Sequence, residues 1–147
     1  MNKKLDPDGK ILQAVNMDDV REYFAKDQFA TSIGIKLLEV RPGYAVSEME
    51  ITEQHLNALK IVQGGAVFTL ADYTFAAASN AYGQVVVAVN GSITYFQVAQ
   101  GKKLIAEATE VSVQNRLVTY NVDVFDEHKA LIARFTGLGY KKKEAIK

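Results

Sequence analysis

Cysteine is absent from this 147-residue chain, and histidine occurs only twice, as His55 and His128. The first absence excludes disulfides, thiolate metal sites and a cysteine nucleophile. The second leaves little material for a histidine-rich zinc site or a Ser-His-Asp triad. Net charge is missing as well: 17 Lys and Arg balance 17 Asp and Glu, whereas a nucleic-acid-binding domain is usually basic. The opening MNKKLDPDGK has no apolar stretch behind its lysines, so it does not read as a secretory leader. The uncharged run 61–71 contains Gln63, Gly64 and Gly65 and is too short to span a bilayer. Repeats, low-complexity tracts and charge blocks are lacking too. The length and an ordinary 48% hydrophobic content lead us to expect one soluble, cytoplasmic domain over residues 1–147, with no nucleic-acid or membrane partner. Segments 1–15 and 141–147 are polar and expected to be flexible.

What is present reads as helix, strand, long helix and four further strands. Asn16 is an N-cap candidate for an amphipathic helix over about residues 17–29. Gly34 and the turn Arg41-Pro42-Gly43 punctuate the stretch after that helix. From Tyr44 to about Thr52 the pattern alternates, with Ala45, Ser47 and Met49 opposed to Val46 and Glu48. Alternation returns over 85–98, 103–113, 117–125 and 130–140, with turns at Gly101, Gln114-Asn115 and residues 126–129. The fold class is therefore α+β: an antiparallel sheet around one very apolar helix, residues 66–80.

That helix has no polar face, so it must be buried. Asp72 sits in its middle, and an isolated buried carboxylate is costly. It is either structural, bonded to Thr69 or Thr74, or a catalytic base or nucleophile. Tyr73, Phe75, Tyr95 and Phe96 line an acyl pocket or pack in the core. Gly64-Gly65 opens the same helix. It is either a tight turn or a pair of free N–H donors suited to an oxyanion. Gly64 and Asp72 lie eight positions apart, about 12 Å along a helix axis. Both must come within about 3 Å of one carbonyl if both are catalytic. The simplest solution uses Gly64 of one subunit and Asp72 of another, in a homodimer.

Leu56-Asn57, the run Gln63-Gly64-Gly65-Ala66-Val67-Phe68-Thr69-Leu70-Ala71-Asp72, and then Phe75-Ala76 and Asn80 resemble the signature of hotdog-fold acyl-CoA thioesterases. The similarity is greatest to the phenylacetate-pathway branch of that superfamily. The resemblance implies a sheet of five or six strands wrapped around a long central helix, and a homodimer or homotetramer. It implies hydrolysis of an acyl-CoA to free acid and CoA with no metal or other cofactor. It assigns Asp72 as the catalytic acid, Gly64 as the backbone donor that polarises the thioester carbonyl, and Asn57 as the residue that positions water or substrate. Gln63, Gly65, Tyr95, Asn115 and Arg116 fall at substrate- or CoA-contacting positions.

Three features depart from the family pattern. Gln63 stands where a His is usual, and it can hydrogen-bond but not titrate. Strand 93–99 lacks a frequent Pro, and turn 112–116 lacks a frequent Gly. Two alternatives remain open: a non-catalytic acyl-CoA-binding protein, or a hydratase or dehydratase on the same fold. The latter needs a His paired with an acid. His55 is expected to be a solvated loop residue, and His128 falls in a turn far from the motif.

Overall fold

The computed structural model describes residues 15–146. The expected flexible segment 1–15 lies almost wholly outside the described residues. Two short helices come first, α1 (Met17–Ala25) and α2 (Gln28–Ser32). Next are two strands, β1 (Ile35–Arg41) and β2 (Tyr44–Glu50), and then the central helix α3 (Gly64–Asn80). Four strands complete the chain: β3 (Gln84–Tyr95), β4 (Lys103–Val113), β5 (Leu117–Asp126) and β6 (Leu131–Ala145). These six strands form one antiparallel sheet in the order β1-β2-β4-β5-β6-β3. The sheet curls around α3, which gives the hotdog architecture that the family resemblance implies.

Local chemistry explains where the elements begin and end. Asn16 caps α1 as expected, its Oδ1 accepting the Asp18 N–H at 2.9 Å. The expected single helix over 17–29 is instead two, because Asp27 caps a new helix by accepting the Ala30 N–H at 3.0 Å. Strand β1 carries no clear signal in the sequence. Its burial pattern is broken by a register shift between Leu37 and Glu39, so no period-two alternation survives. The Arg21 guanidinium donates to the Leu37 and Leu38 carbonyls at that shift, fastening α1 to this edge of the sheet.

The tail requires a correction as well. Residues 141–145, expected to be part of a polar tail, extend β6, with Gln84 opposite Ala145 and Val86 opposite Lys141. The polar side chains there disguise a strand held by backbone pairing, and the Gln84 side chain donates to the Lys142 carbonyl at 3.1 Å.

The core lies between α3 and the concave face of the sheet. Val118, Tyr120, Val122 and Val124 of β5 all point inward, as do Ala45, Ser47 and Met49 of β2. Phe75 lies at the centre, edge-on to Tyr120 at 5.5 Å and tilted against Phe135 at 6.0 Å. Gly137 and Gly139 of β6 make room for it: a Cβ at either position would stand 3.1 Å from the Phe75 ring. Truncation of such a residue leaves a cavity that the sheet cannot close. Phe75→Ala should therefore lower the unfolding free energy by about 3–5 kcal/mol in urea titrations; a loss below about 1 kcal/mol would contradict this packing.

Candidate active site

The start of α3 is built by a short, tightly bonded loop. Residues 53–55 form a 3₁₀ turn, and Leu56 bridges to Val62 across a tight reversal. Asn57 shapes that reversal, its Oδ1 accepting the N–H groups of Leu59 at 2.9 Å and Ile61 at 3.4 Å. Its oxygen is thus committed to the turn, which leaves the amide NH₂ as its free donor.

His55 is not the solvated loop residue expected. It is buried, its Nδ1 accepts the Thr52 N–H at 2.9 Å, and its Nε2 stands 2.6 Å from the Ile33 carbonyl. The proton therefore resides on Nε2, and both nitrogens are spent on joining this loop to the chain before β1. Its cue was the Thr three positions earlier, a capping arrangement in which the ring replaces the usual Glu.

Gln63 N–H bonds to the His55 carbonyl at 2.8 Å and sets Gln63 at the N-cap of α3. The helix starts two residues earlier than expected, at Gly64, because Gln63 C=O already accepts from Ala66 at 3.0 Å. The N–H groups of Gly64 and Gly65 have no hydrogen-bond partner among the described residues. They are the positively polarised end of a 17-residue helix.

Tyr95 lies at the far end of β3 and donates its hydroxyl to the Gly64 carbonyl at 2.9 Å. Its ring explains the glycine, since a Cβ on Gly64 would stand 3.1 Å from the ring. The Gly64 carbonyl and Gly65 N–H share one peptide plane, so this bond also fixes the direction of the second donor.

Two depressions flank this helix end. One is a groove of about 340 Å³ lined by Asn57 and Gly64 and walled by Val67, Phe96, Val98 and Ile132. Among the described residues, no charged side chain lines it. The other, about 410 Å³, is lined by Phe29, Gln63, Gly65 and Thr69. Phe96 was a pocket candidate in the sequence, and the structure puts it on the wall of the first; Val67, Val98 and Ile132 were not distinguished, because an apolar side chain looks the same whether it faces a core or a groove.

Asp72 lies on the one stripe of α3 that the sheet leaves partly open, in line with Gly65, Thr69 and Ala76. The structural reading of this acid loses its support. The Thr69 hydroxyl bonds to the Gly65 carbonyl at 2.8 Å and the Thr74 hydroxyl to the Leu70 carbonyl at 2.6 Å. Burial, aided by the nearby negative charge of Asp27, holds the Asp72 carboxyl above the ordinary carboxylate range. Both Gly64 and Asp72 are on α3, so the axial separation of about 12 Å holds, and they point about 80° apart around the helix.

Asn115 and Arg116 are not brought to this place within one chain. They sit in the β4–β5 turn, beyond Glu110, which accepts the Tyr82 hydroxyl at 2.6 Å near the C-terminal end of α3. That end is about 25 Å from Gly64 along the helix. Among the described residues no three His, Cys, Asp or Glu side chains gather into a metal site. No helix among them is long and apolar enough to cross a membrane.

A hotdog sheet thus carries a lone acid and an open glycine pair on its central helix. The model of the thioesterase superfamily matches residues 59–133, and the chain belongs to that family. A relative from Archaeoglobus fulgidus is 39% identical over 130 residues, covering 87% of this chain and 84% of that protein. The acyl-coenzyme A thioesterase PaaI of Escherichia coli K12 is 27% identical over 119 residues, covering 80% of this chain and 85% of its own length. The solved structure of the E. coli PaaI protein from the phenylacetic acid degradation operon superposes with a TM-score of 0.85. That match has 26% identity and covers 89% of this chain and 96% of the other.

The raised carboxyl of Asp72 carries a linkage consequence. A folded-state pKa above the unfolded value means that the fold is favoured by the protonated acid, and that this advantage is lost as pH rises through the folded pKa. At neutral pH the ionised Asp72 therefore burdens the fold. Asp72→Asn should melt at a higher temperature than wild type at pH 7, and the gap should narrow as pH falls through the raised folded pKa and close below the ordinary carboxylate range. A lower melting temperature at pH 7 would contradict the placement of this carboxylate.

Proposed function

We propose that the chain hydrolyses an acyl-CoA thioester at a site shared by two subunits. The observation that carries this reading is a carboxylate, unbonded among the described residues, on the open stripe of a helix whose N-terminal donors are themselves free. The thioester carbonyl lies against the Gly64 N–H, and Asp72 takes a proton from water as the water oxygen attacks the carbonyl carbon. The oxyanion collapses, the C–S bond breaks, and the leaving CoA sulfur recovers the proton from Asp72. A carboxyl with heightened proton affinity suits the general-base role. A direct attack by Asp72 would pass through a mixed anhydride instead. Asn57 NH₂ orients the carbonyl or the water, and the uncharged groove beside Gly64 takes the acyl arm.

The subunit sharing rests on levels along the sheet. Phe68 stands midway between Gly64 and Asp72, and a Cβ on Gly91 would be 3.2 Å from its ring. Helix position 68 is therefore level with the middle region of β3. Among the described residues strand β3 pairs only with β6, and its outer edge carries exposed Val87 and Val89. The opposite edge, β1, is fastened by Arg21. Antiparallel pairing of two β3 strands about a two-fold axis near Gly91 would set Asp72 of one chain level with Gly64 of its partner. The same operation would carry the partner's Asn115 and Arg116 toward this chain's helix N-terminus. A higher assembly such as a tetramer would leave this pairing unchanged.

Gln63 is compatible with this reading, since the mechanism asks nothing titratable of it. A hydratase would need a free imidazole, and His55 has both nitrogens engaged. Free-thiol release from a panel of acyl-CoAs tests the proposal. Asp72→Asn should lower kcat by about 10²–10⁴-fold while leaving the protein folded, the span typical of a positioned acid–base group. Undiminished turnover in that variant would overturn the role of Asp72, and no turnover by wild type on any acyl-CoA would overturn the proposal in favour of a binding-only role.

A further inference from the structure

The mechanism makes no use of the most deeply buried acid among the described residues. Asp126 ends β5 and is 1% exposed. Its Oδ1 accepts the N–H groups of His128 at 2.9 Å and Ala130 at 3.1 Å, which closes the β5–β6 turn. Its Oδ2 reaches outside that turn and accepts the Gln100 N–H at 3.0 Å. Burial alone would push this carboxyl up, but the three N–H donors, together with the nearby His128 ring, outweigh it and hold the group below the ordinary carboxylate range.

The division of labour between the two oxygens is informative. An asparagine could close the turn through one oxygen without burying a charge. The second acceptor is needed only for Gln100, because an amide NH₂ in its place would confront another donor. The cost of a buried carboxylate is therefore tied to the segment that Gln100 belongs to.

That segment, residues 96–102, links β3 to β4 without regular structure and supplies Phe96, Gln97, Val98 and Ala99 to the groove beside Gly64. It is anchored before and after the groove-lining stretch. Phe96 N–H bonds to the Ile132 carbonyl at 2.7 Å, and the Gln97 side chain donates to the Leu131 carbonyl at 2.9 Å. Beyond Ala99 the anchors are Gln100 on Asp126 and Lys102 N–H on the Glu127 carboxylate at 2.8 Å. Between these two anchors Gly101 has φ +87°, and any Cβ there would collide with the Glu127 carboxylate. Val98 and Ala99 are thus suspended between a backbone anchor and Asp126.

We propose that Asp126 is a positioning residue for the acyl groove: by holding Gln100 it sets the place of the Val98–Ala99 wall, and so the discrimination between long and short apolar acyl groups. This rests on the acyl-CoA reading for the identity of the ligand, not for the clamp itself. Asp126→Asn should keep the turn, because one amide oxygen still serves His128 and Ala130, and release Gln100 alone.

The test is the dissociation constant of two thioethers that cannot be hydrolysed, octyl-CoA and methyl-CoA, measured by calorimetry on wild type and variant. Octyl-CoA should bind Asp126→Asn about tenfold more weakly, the factor a lost buried hydrogen bond commonly carries, while methyl-CoA should change less than about twofold. Amide exchange at 97–101 should quicken with no change in α3. Glu127→Ala, which removes only the exposed outer anchor, should shift octyl-CoA in the same direction by a smaller factor, and it serves if Asp126→Asn does not fold. Equal weakening of both thioethers, no weakening of either, or no binding of octyl-CoA to wild type would overturn the proposal. Because thioethers bind without reacting, these outcomes are separate from a failure of thiol release, which bears on catalysis alone.

Discussion

Helix α3 has no polar face to turn toward water, and the rest of the fold is arranged to enclose it. Its residues from Val67 to Asn80 are mostly buried, and the strands of the sheet pack alanines and valines together with Tyr120 and Phe135 against them. Two glycines in β6 let the sheet close over Phe75, and the Asn80 side chain bonds both the Val86 N–H and the Val86 carbonyl to turn the chain into β3. A purely structural helix would gain nothing from Asp72 at its middle. The acid is accommodated because one stripe, Gly65-Thr69-Asp72-Ala76, is left partly uncovered. The gap that tolerates the carboxylate is the same gap through which the proposed hydrolysis would bring a reacting group.

The two ends of this gap then divide the chemistry. The N-terminus of α3 offers two unbonded N–H groups held in place by the Gln63 cap and by Tyr95, and its middle offers the carboxylate that the proposed hydrolysis uses as base. A single helix fixes the two at a distance too long for one carbonyl, so under the proposed mechanism rigidity, which aids preorganisation, also requires a second chain. An open β3 edge opposite a fastened β1 edge gives the second copy an obvious place to pair.

Much of this was legible in the sequence because it rests on local signals. The alternation in β2 and β5, the Asn16 cap and the alanine-rich helix each depend on a few neighbouring residues. The lone acid and the glycine pair were equally plain, since both violate the composition around them. What was not legible depends on contacts distant in the chain. Strand β1 lost its period to a register shift, and 141–145 looked like a polar tail because its pairing with β3 is a backbone matter. His55 looked like loop because the Ile33 carbonyl that buries it lies 22 residues away. Asp126 announced a turn, but nothing local revealed that its second oxygen reaches Gln100.

The central claim is that each site takes its base from one subunit and its oxyanion donor from the other. Mixing subunits disabled at different halves tests it directly. Asp72→Asn removes the base, and Gly64→Val drives a side chain toward the Tyr95 ring, so each homodimer should be inactive. After unfolding and refolding together at equal amounts, half of the dimers are hybrids with one intact site each. About a quarter of wild-type thiol release should return if the site is shared. Activity no greater than the sum of the separate variants, in a mixture shown to contain hybrids, would place both halves on one chain and contradict the account.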